Sequence, residues 1–202
     1  MSQRDKSEFT YPNAPKSGLA MLIEPKKILL KDGRAAVLRN PDPETDAAAL
    51  ISHLKRIVTE TEFLLRYPEE CYWTEAQERN ILSEGNADDM RLMLVCEVDG
   101  EIAGMCGLSQ YPQMKFHHRA SLDIGLQKRF WSLGIGTAML EALIEAARER
   151  GVMQLELEYI EGNARGRALY EKMGFIEVAR HPDAVRFRDG SLRSLVFMMK
   201  KL

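Results

Sequence analysis

The chain has 202 residues, 45% of them hydrophobic and 29% charged, a balance that suits one well-buried globular domain and excludes a disordered or fibrous chain. With 28 basic and 30 acidic residues the formal charge is -2, so no basic surplus favours a nucleic-acid backbone as partner. Cys71, Cys96 and Cys106 stand at neither metal nor redox spacing, no apolar run approaches the roughly 20 residues that span a bilayer, and the first residues lack the apolar stretch of a secretion signal. The expectation is a cytoplasmic protein without a membrane partner.

Residues 1–24 read as an irregular polar arm carrying Pro12, Pro15 and Gly18, and residues 25–202 as a single domain. Asp32-Gly33, between the apolar runs of "KKILLKDGRAAVLR", predicts a hairpin whose second strand is Ala35–Arg39. Asp42 followed by Pro43 opens a helix on which Leu50, Ile51, Leu54, Ile57 and Val58 recur on one face. Thr74 and Gln77 form a capping box for a second helix that stops near Gly85. The connection "FLLRYPEECYW", rich in aromatics and acids, is a packed loop or the wall of a site.

Strands follow in "RLMLVCEV" and "EIAGMCGLS", joined by a tight Asp99-Gly100 turn, and in "RASLDIGLQ". Met139, Leu140, Leu143, Ile144 and Ala147 make the stripe of a helix that ends at Gly151. Then come the alternating strand "MQLELEY", the short helix "NARGRALYEKMG" closed by Gly174, and a hairpin of "FIEVARH" with "SLRSLVFMMKKL". Hairpins mixed with helical crossovers predict a mixed sheet covered by helices, an α/β (α+β) layered domain.

The stretch "WSLGIGT", Trp131 to Thr137, joins a strand to a helix through two glycines. Such a turn presents unpaired N–H groups beside the positive end of the helix dipole and so can hold an anion; a plain structural turn is the other reading. Met139 stands where a dinucleotide fingerprint needs its third glycine, and no lysine follows as a nucleotide P-loop requires. His117 and His118, adjacent on a strand end, point to opposite faces and do not suggest a metal. Cys106 reads as a buried, inert thiol.

The segment "LDIGLQKRFWSLGIGTAMLEALIEAARERGVMQLELEYIEGNARGRALYEKMGF" resembles the GCN5-related N-acetyltransferase superfamily. Gly134 and Gly136 fit that family's loop Q/R-x-x-G-x-G/A, with Trp131 in place of the usual Gln or Arg. Asn163, Leu169, Tyr170, Lys172, Gly174 and Phe175 fit its signature N-x-x-A-x-x-L-Y-x-K-x-G-F, with Gly166 where alanine is usual. The resemblance implies a mostly antiparallel twisted sheet of about seven strands, flanked by about four helices, with a splayed central pair of strands. It also implies acetyl-CoA as acyl donor and no metal.

Under the same resemblance the pantetheine arm lies between the strand ending at Leu126 and the strand from Met153, pairing with Ile124, Gly125 and Leu126. The pyrophosphate lies against Arg129, Phe130, Trp131, Ser132, Leu133, Gly134, Ile135, Gly136 and Thr137. Asn163 and Tyr170 contact the arm, Tyr170 is the general acid for the departing thiolate, and the backbone N–H of Leu126 stabilises the oxyanion. Ala120 and Ser121 stand where the histone-acetylating branch carries a glutamate, so the base stays open among Glu161, Asp123, Glu69, Glu70 and a water chain. The acceptor is a primary amine of a small molecule, amino acid or protein. Glu62, Glu69 and Glu70 suit a cationic amine, whereas the arginines of residues 186–193 suit an acidic group. A noncatalytic acyl-CoA sensor and an interaction protein on this fold remain alternatives, and a homodimer remains open.

Overall fold

The computed structural model describes residues 20–202, so the arm predicted at 1–24 lies outside the described residues up to residue 19. The strands are β1 (Lys26–Leu29), β2 (Ala35–Arg39), β3 (Arg91–Val98), β4 (Glu101–Gln110), β5 (Arg119–Leu126), β6 (Gln154–Ile160), β7 (Ile176–Arg186) and β8 (Leu192–Lys201). The helices are α1 (Pro43–Glu60), α2 (Glu75–Ala87), α3 (Ile135–Glu149) and α4 (Ala164–Lys172). One eight-stranded sheet runs in the order β1-β2-β3-β4-β5-β6-β8-β7. Its neighbours are antiparallel except β5 and β6, which are parallel. The strand beyond the expected seven is β1, the first arm of the Asp32-Gly33 hairpin, which pairs with β2 from Lys26↔Leu38 to Leu29↔Ala35. Among the described residues no helix is long and apolar enough to cross a membrane.

Alternation along the strands sorts the core into two layers. Leu92, Leu94 and Cys96 of β3 and Ala120 and Leu122 of β5 join Met139, Leu140, Leu143 and Ala147 of α3 on one face. Met93 and Val95 join Ala47 and Leu50 of α1 and Leu82 of α2 on the other. Asp42 caps α1 by accepting the Glu44 N–H at 2.8 Å, and the Thr74–Gln77 capping box opens α2. Helix α2 runs past Gly85 to Ala87. Gly85 is not its stop but a packing site, since a Cβ there would lie 2.3 Å from Met93 Cε.

Arg39 ties three elements together. Its guanidinium donates to Asp46 Oδ1 of α1 at 3.0 Å and to Glu97 Oε2 of β3 at 2.8 Å, while Asp46 Oδ2 accepts the Asp42 N–H at 2.7 Å. Burial pushes the Asp46 carboxyl up, but the hydrogen bonds from Arg39 and Asp42 and the Arg39 charge outweigh it and hold the group below its ordinary range.

The sheet opens in its middle. β5 and β6 pair only at Arg119↔Gln154, Ala120↔Leu155 and Ser121↔Glu156. Beyond Ser121, β5 stays with β4 as far as Gly104↔Leu126, and β6 stays with β8 as far as Ile160↔Leu195. The two strands therefore diverge between α3 and α4 on one side and the α1–α2 connection on the other.

Removing the Asp46 carboxylate leaves the Arg39 guanidinium partly buried and short of a partner, which costs about 3 kcal/mol. Urea unfolding of Asp46→Ala at pH 7 is expected to show that loss. Because the Asp46 pKa is lowered by folding, the contribution is full above the unfolded carboxylate value of about 3.9 and fades as pH falls through the folded value; the gap between variant and wild type therefore narrows in acid.

Candidate active site

The opening leads into a cleft of about 1510 Å³. Single-ligand pockets hold roughly 300–1,000 Å³, so this cleft has room for two reactants. Its walls are β5, the start of α3, β6, α4 and the α1–α2 connection, where Phe63, Leu64 and Leu65 face inward beside Ile57 of α1. Two bonds fix that connection: Trp73 Nε1 donates to Glu78 Oε2 at 2.6 Å, and Glu60 Oε2 accepts the Lys128 N–H at 2.6 Å.

The main chain of β5 faces the opening with alternate residues. Gln127 donates its N–H to Ala103 O at 3.0 Å, so Ala103/Gln127 is a hydrogen-bonded pair of the antiparallel β4–β5 ladder. Two residues back, Met105/Gly125 is the next such pair. Ile124 and Leu126 fall between and direct their N–H and C=O groups away from β4 into the gap. The Leu126 carbonyl is already engaged, accepting the Trp131 indole N–H at 3.0 Å; its N–H is the group aimed at the cleft.

At the end of β5 the chain turns through Ser132 (φ 65°) and Gly134 (φ 97°), both left-handed, with Leu133 between. Alternating handedness gathers successive N–H groups into an anion-binding concavity. Gly134 is the N-cap of α3 and gives it no side-chain cap bond, so the first N–H groups of a 15-residue helix face the cleft uncapped by a side chain. The two glycines serve different ends. Gly134 needs its left-handed conformation, with nothing within 4 Å of a built Cβ, whereas a Cβ on Gly136 would meet Leu169 Cδ2 of α4 at 3.0 Å. Gly136 thus brings α3 against α4.

Most sequence-expected donor residues share this cleft: Ile124, Gly125, Leu126, Phe130, Trp131, Ser132, Gly134, Gly136, Thr137, Asn163 and Tyr170 all line it. Three side chains do not. Arg129 turns outward to pair with Glu101 and stacks 4.8 Å over the Phe130 ring. Ile135 is in the core, and Leu133 offers its carbonyl to the Lys31 N–H at 3.1 Å. Asn163 caps α4, its Oδ1 accepting the Gly166 N–H at 2.9 Å.

Tyr170 is 8% exposed and packs between Tyr159, 6.0 Å away, and Phe175, 6.4 Å away. Burial, with the charges of Asp123 and Tyr159, pushes its hydroxyl up to about 12. It is a protonated donor at neutral pH.

Of the four carboxylates left open as base, Asp123 alone lines the cleft. Its side chain lies over Gly107, its cross-strand partner, where any Cβ would sit 2.7 Å from Oδ2. The carboxyl is reached by solvent through the cleft yet closely surrounded by protein, and burial pushes it above its ordinary value against the attraction of Arg91. Glu161 instead accepts the Ser194 hydroxyl at 2.9 Å and pairs with Arg180; the Ser194 bond first, then the Arg180 charge, hold it below its usual range. Glu69 pairs with Arg188, and Glu70 accepts the Tyr67 N–H at 2.7 Å.

Sequence reasoning missed the opposite wall. Glu156 and Glu158 of β6 line the cleft, and the alternation of "MQLELEY" contains the signal: Leu155, Leu157 and Tyr159 are in the α3 core, so the glutamates share the other face. One alternation beyond Ser121↔Glu156 puts Asp123 and Glu158 on that face, on the two sides of the opening. Glu156 is paired with Arg119, whose Nη2 donates at 2.6 Å and whose guanidinium lies 5.2 Å from both the Tyr111 and Phe116 rings. Among the described residues no group of three or more His, Cys, Asp or Glu could hold a metal ion, and His117 Nδ1 lies 3.1 Å from Tyr111 O. Cys106 is fully buried, and burial pushes its thiol well above the ordinary value.

The acetyltransferase (GNAT) family model matches residues 54–175, more than half of the chain. The chain belongs to that family, whose acyl donor is acetyl-CoA. It is similar to the [ribosomal protein bS18]-alanine N-acetyltransferase of Salmonella typhimurium, with 29% identity over 119 residues, 57% of this chain and 78% of that one. A GNAT-family acetyltransferase structure from Streptococcus pneumoniae matches with a TM-score of 0.78 and 26% identity, over 83% of this chain and 99% of the other. A Salmonella typhimurium protein, determined with its cofactor acetyl-CoA, shares the fold with a TM-score of 0.68 at 22% identity, over 83% of this chain and 94% of that one. Across curated relatives the chain spans from 19% to 78% of their length.

Since folding raises the Asp123 pKa, the charged carboxylate opposes folding at neutral pH, and that penalty disappears once pH falls below the unfolded value. Asp123→Asn is expected to raise the melting temperature at pH 7, with the two melting temperatures converging near pH 3. A variant less stable than wild type at pH 7 would contradict this.

Proposed function

We propose that the protein is an acetyl-CoA-dependent N-acetyltransferase that moves the acetyl group directly to a primary amine while both substrates occupy the cleft. The single observation that carries this is the break in the β5–β6 ladder, with the N–H and C=O groups of Ile124 and the N–H of Leu126 directed into it and an N–H concavity at its end. An extended pantetheine arm, itself built from amides, completes the missing strand, and the diphosphate takes the concavity and the first turn of α3.

The amine approaches from the Asp123 and Glu158 face. Its nitrogen attacks the thioester carbonyl and forms the C–N bond. The Leu126 N–H receives the developing oxyanion. The C–S bond then breaks, Tyr170 protonates the thiolate, and the proton lost by the amine passes to Asp123. Confinement of both reactants supplies on the order of 7–11 kcal/mol of the barrier in well-oriented cases.

The acceptor wall is acidic. Among the described residues Asp123 and Glu158 have no ion pair, Glu156 is neutralised by Arg119, and Arg188 of the hairpin is occupied by Glu69 of the α1–α2 connection while stacking 4.2 Å over Tyr67. That pair takes one charge of each sign from the two loops, and the strand carboxylates that line the cleft select a cationic amine. A protein amine is within this class, as it is for the Salmonella relative whose name specifies an alanine of a ribosomal protein.

Calorimetric titration with acetyl-CoA, followed by thiol release across a panel of amines, tests the reading. Absence of binding at millimolar ligand would sink it, and binding without thiol release on any amine would make the chain a sensor. Tyr170→Phe is expected to lower kcat by about a hundredfold, the lower end of general acid catalysis, while the acetyl-CoA Kd holds; an unchanged rate across pH would remove Tyr170 from the acid role. Asp123→Asn is expected to lower kcat and flatten the acid limb of the pH profile, which lies above the ordinary carboxylate range because the Asp123 pKa is raised.

A further inference from the structure

The position where the family resemblance leads one to expect Gln or Arg holds Trp131, which has no charge to offer a phosphate. Its indole is pinned by the bond to Leu126 O at 3.0 Å. Over the ring lies Arg165 of α4, its guanidinium carbon 4.7 Å from the centroid, and Arg165 Nη1 donates to Ser132 Oγ at 2.8 Å. The cation is thus held at the left-handed Ser132, within the N–H concavity's own loop. Among the described residues Arg165 has no carboxylate partner, unlike its neighbour Arg167, which pairs with Glu171 at 2.7 Å. Two turns further along α4, Lys172 Nζ donates to Thr137 Oγ1 at 3.1 Å, in the first turn of α3.

Resting on the acyl-CoA reading above, we infer that Arg165 is a diphosphate-contacting residue, and that Trp131 is the platform that positions it. The charge that the loop lacks at residue 131 is supplied across the groove from α4. A guanidinium suits this place: one face stacks on the indole, one N–H is spent on Ser132, and its remaining donors match two phosphate oxygens in a fork that an ammonium cannot reproduce. The bond from Trp131 to Leu126 O ties the same platform to the last residue of β5, so the phosphate end and the thioester end of the donor groove are set by one side chain.

The test is calorimetry with CoA and with 3′-dephospho-CoA on wild type, Arg165→Ala, Arg165→Lys, Trp131→Ala and the double variant, with thermal unfolding as the check on folding and S-acetylpantetheine, titrated by NMR at millimolar ligand, as the control that lacks the diphosphate. Arg165→Ala is expected to weaken CoA and dephospho-CoA alike, by about tenfold or more, and to leave S-acetylpantetheine unchanged. Arg165→Lys should recover only part of the loss. Trp131→Ala by itself should weaken CoA and dephospho-CoA, but add little in the Arg165→Ala background, the coupling of a platform to what it holds. Three results would overturn the inference: Arg165→Ala binding CoA as wild type does, a loss confined to CoA with dephospho-CoA spared, or parallel losses of CoA and S-acetylpantetheine. A wild-type protein that binds none of these ligands refutes the acyl-CoA reading itself, whereas normal wild-type binding with an indifferent Arg165→Ala refutes only the role of Arg165.

Discussion

A sheet interior cannot leave main-chain donors and acceptors unmatched without a cost close to that of a lost hydrogen bond for each. β5 does this beyond Ser121, where β6 turns away and the gap-facing groups of Ile124 and Leu126 lose their neighbour. Everything else in the site follows from that break. α3 and α4 sit at its mouth, in contact because Gly136 leaves room for Leu169, and Tyr170 is wedged between Tyr159 and Phe175 on the same side. Part of the deficit is met internally, by the Trp131 indole on the Leu126 carbonyl. The rest is, in the proposed function, the template for an extended, amide-bearing ligand.

The cleft is electrically polarised along its length. Arg165, Lys172 and Lys31 gather where α3 begins, and Asp123, Glu156 and Glu158 line the other end, with Arg119 cancelling one of the three. Under the proposed function, a polyanionic donor and a cationic acceptor enter from opposite ends and meet near Leu126. Asp123 is held there at an energetic disadvantage: the close surroundings that raise its pKa also make it a stronger proton acceptor than a solvated carboxylate. Gly107 leaves room for that placement, since a Cβ there would lie 2.7 Å from Oδ2 and the carboxylate would have to shift.

Much of this was written in local sequence. The hairpin turns, the Asp42 and Thr74 caps, the stripe of α3 and the glycine turn depend on residues within a few positions of one another, and each was legible. Tyr170 and Asn163 were legible through the second signature, which places them beside the loop. Features set by distant partners were not. Gly85 looks like a helix stop until Met93 is seen beneath it. Glu161 looks like an available base until Arg180 and Ser194 close on it. Glu69 and Arg188, 119 positions apart, seemed to make opposite demands on the acceptor because only the fold reveals that they satisfy each other. Glu158 was hidden differently: its alternation was visible, but not which face of β6 would border a cleft.

The central claim is that the donor acts as the missing strand between β5 and β6, and amide hydrogen exchange resolved by residue, with and without saturating CoA, tests it most directly. The account predicts new protection at the N–H groups of Ile124 and Leu126 and across Ser132 to Thr137, with Gly125, already bonded to β4, little changed. Binding of CoA that protects other amides while leaving Ile124 and Leu126 exchanging as before would contradict it.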